Sequence, residues 1–409
     1  MALYKKNIVF QYGLELARYF FPFVTIPFLT RVLGPDVYAV RAYILAAMTF
    51  VQVFLLFGFN SYGTKEVATR DSDTFLRELT SSIMLVRVGL CIIAAVAVAL
   101  LIFFIPIMAS NSIYVWLAFV GVCFKCCLPD FVFQGKEDMG IITNRFVVSQ
   151  IISTLLIVGF VRSPSDLLLV PIFEGIAALI AFGWSWYNAY AKYNIYFVRV
   201  SLRNVITTFK SSGIFFLSNA STTIFSSLTT LMIGFFIADP AEISYWAIAM
   251  TAITAVQALY TPVTNSIYPH ICRTKEARLI RKMLLLGVPI VLFGTGIYAY
   301  LSDLIMLVLG GEAYIDGSYV IVLTSPVLFF SFIAMMLGFP VLAAFGKVSK
   351  LTLSSTISAG FHIVGLVLLA AVGAFSILNV AVLRCLTEFI LAFLRFIFAY
   401  RVLSAKAAS

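Results

Sequence analysis

The sequence predicts an all-α integral membrane protein with about twelve transmembrane helices, in two six-helix bundles around a central cavity and with both termini in the cytoplasm. Of its 409 residues, 62% are hydrophobic and only 11% are charged, whereas soluble domains carry about 25% charged residues. The mean hydropathy is +1.04, and apolar segments recur along the whole chain. A water-soluble fold cannot bury this much apolar surface, so we expect a multi-pass membrane protein.

The lengths of the apolar segments predict the crossings, because a helix needs about 20 mostly apolar residues to span the hydrocarbon core. Such windows lie at 8–33, 37–62, 80–106, 113–134, 141–161, 167–189, 212–237, 243–270, 283–309, 318–345, 349–372 and 375–402. The longest polar connection follows the sixth window. It divides the chain into an N-terminal six-helix bundle (1–189), a cytoplasmic connection (190–211) and a C-terminal six-helix bundle (212–409).

The charges between the windows predict the orientation. Twenty of the 28 Lys and Arg residues lie at the termini or in the even-numbered connections, whereas the odd-numbered connections and adjoining helix ends have only Arg31 and Arg162, with seven acids. Basic connections remain in the cytoplasm, which places both termini there. This topology, together with anionic lipid headgroups, accounts for the net charge of +10. No nucleic acid partner is therefore expected.

The sequence predicts no metal site, disulfide or cofactor. Its six cysteines lie in apolar segments or at their cytoplasmic ends, where oxidation is not expected. Cys123 and Cys126 have the C-x-x-C spacing, but no second pair or nearby histidine completes a tetrahedral site. The chain also has no G-x-x-x-x-G-K-[ST] motif, so ATP hydrolysis is not expected of it.

Two motifs carry a family resemblance. The first predicted outer turn reads IPFLTRVLGPDVYA (Ile26–Ala39), and the segment between spans four and five reads FVFQGKEDMGIITNR (Phe131–Arg145). Both resemble the corresponding segments of the Wzx-like polysaccharide flippases, in the multidrug/oligosaccharidyl-lipid/polysaccharide exporter superfamily. Chain length and predicted spans match that family throughout. Two positions depart from the family. Position 41 is Arg where the family usually has an apolar or small residue, and position 39 is Ala where it usually has Gly.

Ten Asp, Glu, Lys and Arg residues lie inside the predicted spans. Each costs about 2.5–3.5 kcal/mol at the centre of a membrane helix, so these side chains must face partners or water. Glu15 with Arg18, and Arg384 with Glu388, are spaced to pair on one helix face. The acids for which we predict ion coupling or internal pairing are Glu15, Asp130, Glu174 and Glu388.

Some intramembrane cations lack such local partners. Arg87 and Lys125 have no acid three or four residues away, and with Arg18 they predict a hydrated basic pocket. Arg41, nearer the outer face, suits snorkelling as well as a cavity. A run of Ser, Thr and Asn on span seven predicts a polar cavity wall. The predicted substrate-binding residues are Arg18, Arg87, Lys125, Asn219 and Arg384.

A net positive interior suits an anionic cargo. The resemblance implies a flippase that moves an undecaprenyl-pyrophosphate-linked oligosaccharide from the cytoplasmic to the periplasmic leaflet by alternating access, for O-antigen or similar surface polysaccharide. A guanidinium binds a diphosphate bidentately. The implied location is the bacterial inner membrane. The implied partners are the lipid-linked glycan and membrane lipids, with the polysaccharide polymerase and chain-length regulator as candidates.

Two alternatives are compatible with a multi-pass chain. An ion-coupled multidrug antiporter of the same superfamily would use the intramembrane acids, but a basic cavity repels cationic drugs. A membrane polymerase or glycosyltransferase would use the D-x-D sequence at Asp71 to Asp73 to bind a divalent cation. That sequence lies in a short connection without a soluble domain, and no large outer loop is predicted. We therefore expect a transporter and not an enzyme.

Overall fold

The computed structural model describes the backbone of residues 2–70, 72–223, 227–237 and 239–407. Side chains are described in these ranges except at 2–9, most of 214–223, several positions between 262 and 277, and 405–407. The described residues are helical or lie in turns and short extended segments, with no strand among them. The chain divides into two compact units, unit 1 at 1–223 and unit 2 at 224–409.

Unit 1 is built from helices that follow the predicted windows. They are α1 (Ala2–Leu56), α2 (Phe59–Thr69), α3 (Asp73–Phe104), α4 (Pro106–Ala109), α5 (Ser112–Cys126), α6 (Asp130–Gly135), α7 (Met139–Phe160), α8 (Leu169–Tyr193) and α9 (Leu202–Thr223). A 3₁₀ turn (Pro164–Leu168) precedes α8. The predicted connection at 190–211 contains the end of α8, an extended segment and the start of α9. Arg77 of α3 binds this segment by donating to the carbonyl of Asn194 at 3.0 Å.

Backbone conformation explains where α1 breaks. Gly34 has φ 73° and ψ 171°, a left-handed conformation that glycine adopts without steric cost. Pro35 follows and has no N–H to donate to the preceding turn. The predicted turn between the first two spans is therefore a kink inside α1. The helix ends where Phe57 and Gly58 both have positive φ, at 39° and 74°.

Unit 2 has the same all-helical construction. Its helices are α10 (Thr229–Phe236), α11 (Pro240–Ala258), α12 (Tyr260–Thr274), α13 (Ala277–Tyr300), α14 (Ser302–Leu309), α15 (Ser318–Thr324), α16 (Pro326–Leu337), α17 (Val348–Ala371) and α18 (Ile377–Ala407). A π-helical turn (Gly338–Ala343) follows α16. Its buried core includes Ile271, Met336 and Leu342.

Nine segments of the described chain are long and apolar enough to cross a membrane, which confirms a multi-pass membrane protein. The first, Phe10–Thr69, has 60 residues, which is about 90 Å of helix. Because this length is enough for two crossings and Gly34 interrupts the helix, the segment accommodates two predicted spans. The windows at 212–237 and 243–270 are not among the nine. The first includes residues outside the described ranges, and the second is divided between α11 and α12. Twelve spans and cytoplasmic termini stay predictions.

Two residues of the D-x-D sequence, Ser72 and Asp73, lie at the start of α3. Ser72 is the N-cap of α3, and its hydroxyl accepts a hydrogen bond from the backbone N–H of Phe75 at 3.4 Å. Asp73 lies in the first turn, where the positive end of the helix dipole stabilises a carboxylate. Asp71 lies outside the described residues. Ser72 and Asp73 therefore have a structural role in starting a helix.

Candidate functional site

A cavity of about 70 Å³ lies among the second half of α1, α5 and α8 of unit 1. Most of its wall is apolar or neutral, with residues such as Met48, Val122 and Pro171. Its charged lining residues are two bases, Arg41 and Lys125, and one acid, Glu174. The remaining lining residues are Leu45, Thr49, Gln52, Tyr114, Ala118, Gly121 and Gly175. The cavity therefore has a surplus of one positive charge.

The two bases lie at different levels of the cavity. Eleven residues separate Arg41 from Gln52 on α1, and eleven separate Tyr114 from Lys125 on α5, or about 16 Å of helix in each case. The thiol of Cys126 donates to the carbonyl of Gln52 at 3.8 Å, so Gln52 and Lys125 share a level. Arg41 lies toward the opposite end of the cavity.

Arg41 and Glu174 form an ion pair across the upper level. The Arg41 Nη2 lies 3.2 Å from the Glu174 Oε1, and the side chains are 10% and 30% exposed. The Nε of Arg41 is buried without a hydrogen-bond partner. The guanidinium also lies over the ring of Tyr38, with 5.8 Å to its centroid. One donor group of this buried cation is thus left for a further acceptor.

Lys125 occupies the lower level without a counter-ion. It is exposed and lines the cavity, and among the side chains that the structure describes its ammonium has no hydrogen bond and no ion pair. A close approach of α5 and α8 forms the adjoining wall, because a Cβ on Gly121 would lie only 3.6 Å from the Cα of Gly175. Lys125 therefore presents its charge to the cavity.

Arg87 lies apart from this cavity, in the protein interior. It is fully buried and donates to the carbonyl of Leu128 and to the Oδ1 of Asn60, both at 2.8 Å. Its guanidinium also lies over the rings of Phe59 and Phe131 at 5.6 and 5.9 Å. These contacts link α3 with α2 and with the segment between α5 and α6. In this structure Arg87 and Lys125 do not share a pocket.

Arg18, another predicted substrate-binding residue, also lies outside the cavity. Arg18 pairs with Glu15 at 2.9 Å on α1, with both side chains about half exposed at 53% and 45%. This is the local pairing that their spacing predicts. The side chain of Asn219 lies outside the described part of the chain, as do most side chains of the polar run on span seven.

Asp130 is paired with a residue that sequence spacing did not suggest. Arg145 donates to both carboxylate oxygens of Asp130, at 2.5 and 3.1 Å, and to the hydroxyl of Ser185 at 2.7 Å. Arg145 is almost fully buried, with 5% of its side chain exposed. Both residues border or belong to the FVFQGKEDMGIITNR motif.

The same motif packs α6 against α2. A Cβ on Gly135 would lie 2.6 Å from the Cβ of Val67, so only glycine allows this approach. Beside it, the hydroxyl of Thr64 donates to the Oε1 of Gln134 at 3.1 Å. Further along, Asp138 accepts hydrogen bonds from Lys192 and Tyr193 at the end of α8. The motif therefore braces α2, α6, α7 and α8.

Unit 2 contains a separate buried polar cluster between α17 and α18. Arg384 and Glu388 pair at 2.7 Å, with side chains only 10% and 8% exposed. The ring of His362 lies between the hydroxyls of Thr229 and Thr387, at 2.7 and 2.9 Å. Arg395, further along α18, donates to the carbonyl of Ala334 and to the hydroxyls of Ser354 and Ser355.

The sequence contained a signal for the Arg41–Glu174 pair. Arg41 lies five residues after Asp36 of one predicted outer turn, and Glu174 lies eight after Asp166 of another. The two side chains are thus expected at similar depth. Pairing rules based on positions three or four apart detect only contacts within one helix, so they miss this pair.

Two solved structures with a similar fold are of membrane transporters. A structure described as "Lipid II flippase MurJ, inward closed conformation" is 14% identical with a TM-score of 0.71, over 95% of this chain and 87% of that chain. Another, "Inward-facing conformation of a multidrug resistance MATE family transporter of the MOP superfamily", is 13% identical with a TM-score of 0.68, over 95% of each chain. At these identities the likeness defines the class of fold, a helical membrane fold shared by flippases and drug transporters.

The sequence itself identifies the family. It matches the family described as "Polysaccharide biosynthesis protein" over residues 4–275, and the chain belongs to that family. A protein named "Putative O-antigen transporter" from Escherichia coli K12 is 24% identical over 352 residues, which is 83% of both chains. A protein of the same name from Shigella dysenteriae is 24% identical over 325 residues, or 77% of this chain and 80% of that one. The resemblance to polysaccharide flippases is thus confirmed at the level of family.

Proposed function

We propose that this chain is a flippase that carries an undecaprenyl-pyrophosphate-linked oligosaccharide from the cytoplasmic to the periplasmic leaflet of the bacterial inner membrane. It would do so by alternating access, for O-antigen or a similar surface polysaccharide. The proposal draws on the family, on relatives named as O-antigen transporters and on a fold shared with a lipid II flippase. The polymerase and chain-length regulator of the same polysaccharide are candidate partners.

The observation that carries the proposal is Lys125, which lines a membrane-embedded cavity and has no ion pair among the described side chains. An unpaired ammonium among apolar helices is costly to maintain, and a functional role explains it better than packing does. A phosphate of the cargo would supply the missing negative charge, and the neutral side chain of Gln52 lies at the same level to accept or donate a hydrogen bond.

A drug antiporter is the second candidate because the fold is also that of a multidrug transporter. The charges of the cavity favour the flippase. Two bases against one acid leave a positive site, which repels the cationic compounds that such antiporters would export. Deleting the gene should therefore leave resistance to cationic drugs unchanged while it removes surface glycan.

Substitution of Lys125 tests the proposed function. In the native host lacking its own copy of the gene, Lys125→Gln should reduce surface glycan while membrane abundance stays normal. A lost hydrogen bond to a charged group is worth about 1.5–3 kcal/mol, or roughly ten- to a hundredfold in cargo affinity. Lys125→Arg keeps the charge and should restore part of the output.

Lys65 offers a matched control, because it is an exposed lysine on α2 that does not line the cavity. Lys65→Gln should leave surface glycan and abundance unchanged. Full glycan output from Lys125→Gln at normal abundance would show that the cargo binds elsewhere.

A further inference from the structure

The ion pair of Arg41 and Glu174 differs in geometry from the buried pair of Arg145 and Asp130. It is a single contact at 3.2 Å, whereas Asp130 accepts two hydrogen bonds from Arg145. The Arg41 Nε remains without a partner although the side chain is nine-tenths buried. Arg41 therefore has unused hydrogen-bonding capacity in a wall of the cavity.

Glu174 is also more exposed than the acids of the other buried ion pairs, Asp130 and Glu388. Its side chain is 30% exposed, against 18% for Asp130 and 8% for Glu388. Because Glu174 lines the cavity, water that enters the cavity can reach its carboxylate. Glu15 is more exposed still, but its partner Arg18 is equally exposed and lies one turn away on the same helix.

The charged and titratable groups around Glu174 are few. On α1 and α5 they are Arg41, Tyr38, Tyr114 and Lys125. On α7, the Arg145 cation is bonded to Asp130 and to Ser185. Ser185 is eleven residues from Glu174 along α8, or about 16 Å, so Arg145 is too far away to neutralise Glu174. In the preceding 3₁₀ turn, Asp166 accepts from Ser163. Arg41 is thus the cation that neutralises Glu174.

We propose that Arg41 and Glu174 form an exchangeable ion pair that couples anion binding to proton uptake. A phosphate group of the cargo replaces Glu174 as the partner of Arg41. Two phosphate oxygens can accept hydrogen bonds from the planar guanidinium together, and one of them can reach the unpartnered Nε. Glu174 is displaced and accepts a proton from cavity water. A carboxylate that has lost its cation between membrane helices favours its neutral form. One negative charge gained from the cargo is balanced by one proton.

This inference rests on the proposed function, because it takes the cavity as the site of the cargo anion. It assigns separate tasks to the two levels. Lys125 would bind the anion at one end without proton exchange, and Arg41 would bind it at the other end with proton exchange. The acid that senses the proton gradient would then be Glu174, and not an acid held in a closed ion pair.

Calorimetry with inorganic pyrophosphate tests the inference on the purified full-length protein. Titrations at one pH, in two buffers with different ionisation enthalpies, give the protons taken up on binding. Glu174→Gln should bind pyrophosphate more tightly, since the internal competitor is gone, and should take up about one proton fewer per bound pyrophosphate than the wild type. Arg41→Gln should weaken binding at least tenfold. Equal proton uptake by wild type and Glu174→Gln would overturn the inference, as would a wild type that does not bind pyrophosphate.

A second measurement needs no variant. Infrared difference spectra of the wild-type protein should show the C=O stretch of a protonated carboxylic acid when pyrophosphate is added, and its absence would also overturn the inference. Surface glycan output separates the two proposals. If Lys125→Gln abolishes output while proton uptake by Glu174→Gln equals that of the wild type, the proposed function stands and the exchange does not.

Discussion

Arg145 donates hydrogen bonds to both carboxylate oxygens of Asp130, at 2.5 and 3.1 Å, and thereby joins α6 to α7 in the interior of unit 1. The third acceptor of the guanidinium is Ser185 of α8. A buried cation that is satisfied in this way fixes the packing of three helices. The pair is therefore expected to stabilise the fold.

Asp130→Asn should lower stability because it leaves the Arg145 cation buried without its counter-charge. Breaking such a pair costs about 3–5 kcal/mol, which should reduce membrane abundance and the melting temperature of the purified protein. Glu15→Gln is the control, since it breaks a pair whose side chains are half exposed.

The sequence also predicts that an acid such as Asp130 or Glu388 serves in ion coupling. Transport in vesicles under an imposed ion gradient distinguishes the two roles. An Asp130→Asn protein of normal stability whose transport no longer responds to the gradient would contradict the structural role and support coupling.

Arg87→Gln should likewise reduce the amount of folded protein. The substitution removes a charge that donates to Leu128 and Asn60 and lies over two aromatic rings, and each lost hydrogen bond to the charged group is worth about 1.5–3 kcal/mol. Detergent-solubilised protein should show less monodisperse material on size exclusion. If Arg87→Gln keeps normal abundance and melting temperature while glycan output falls, Arg87 binds cargo, as the sequence predicts.

The helices could be predicted from the sequence more fully than the site. Apolar windows fix where helices run because each helix must satisfy its own backbone in the membrane. The windows at 141–161 and 349–372 end within two residues of α7 and α17. The depth of a charge along a span can be read in the same way, as for Arg41 and Glu174.

The direction in which a side chain points could not be predicted in this way. Arg87 and Lys125 both lack a local acid in the sequence, yet Arg87 donates to a carbonyl and an amide and Lys125 lines a cavity. Backbone carbonyls freed at a helix end leave no trace in residue type. The partner of Arg87 could therefore be found only from the fold.

The predicted topology can be tested at two positions of unit 2. Glu312 lies in a connection predicted to be periplasmic, and Lys275 lies in the basic connection between α12 and α13. Reporter fusions at these two residues should give opposite signals, because basic connections remain in the cytoplasm. The same signal from both would contradict the twelve-span topology with cytoplasmic termini.

Gly175 allows the cavity to be filled without changing its charge. The residue lines the cavity, and a Cβ added there would meet nothing within 4 Å. Gly175→Ala should therefore fold normally and keep its glycan output. A larger side chain at the same position would occupy the space between Arg41 and Lys125. Gly175→Leu should then reduce pyrophosphate binding and glycan output together, although both bases remain.

The measurement pairs calorimetric binding with the melting temperature of each Gly175 variant. A Cβ at position 175 meets nothing within 4 Å, so α8 is expected to accept the larger side chain. A Gly175→Leu protein that melts like the wild type and still binds pyrophosphate with wild-type affinity would show that anions bind outside this cavity. That result would contradict the proposed anion-binding roles of both Lys125 and Arg41, whereas a substitution of either base tests only one of them.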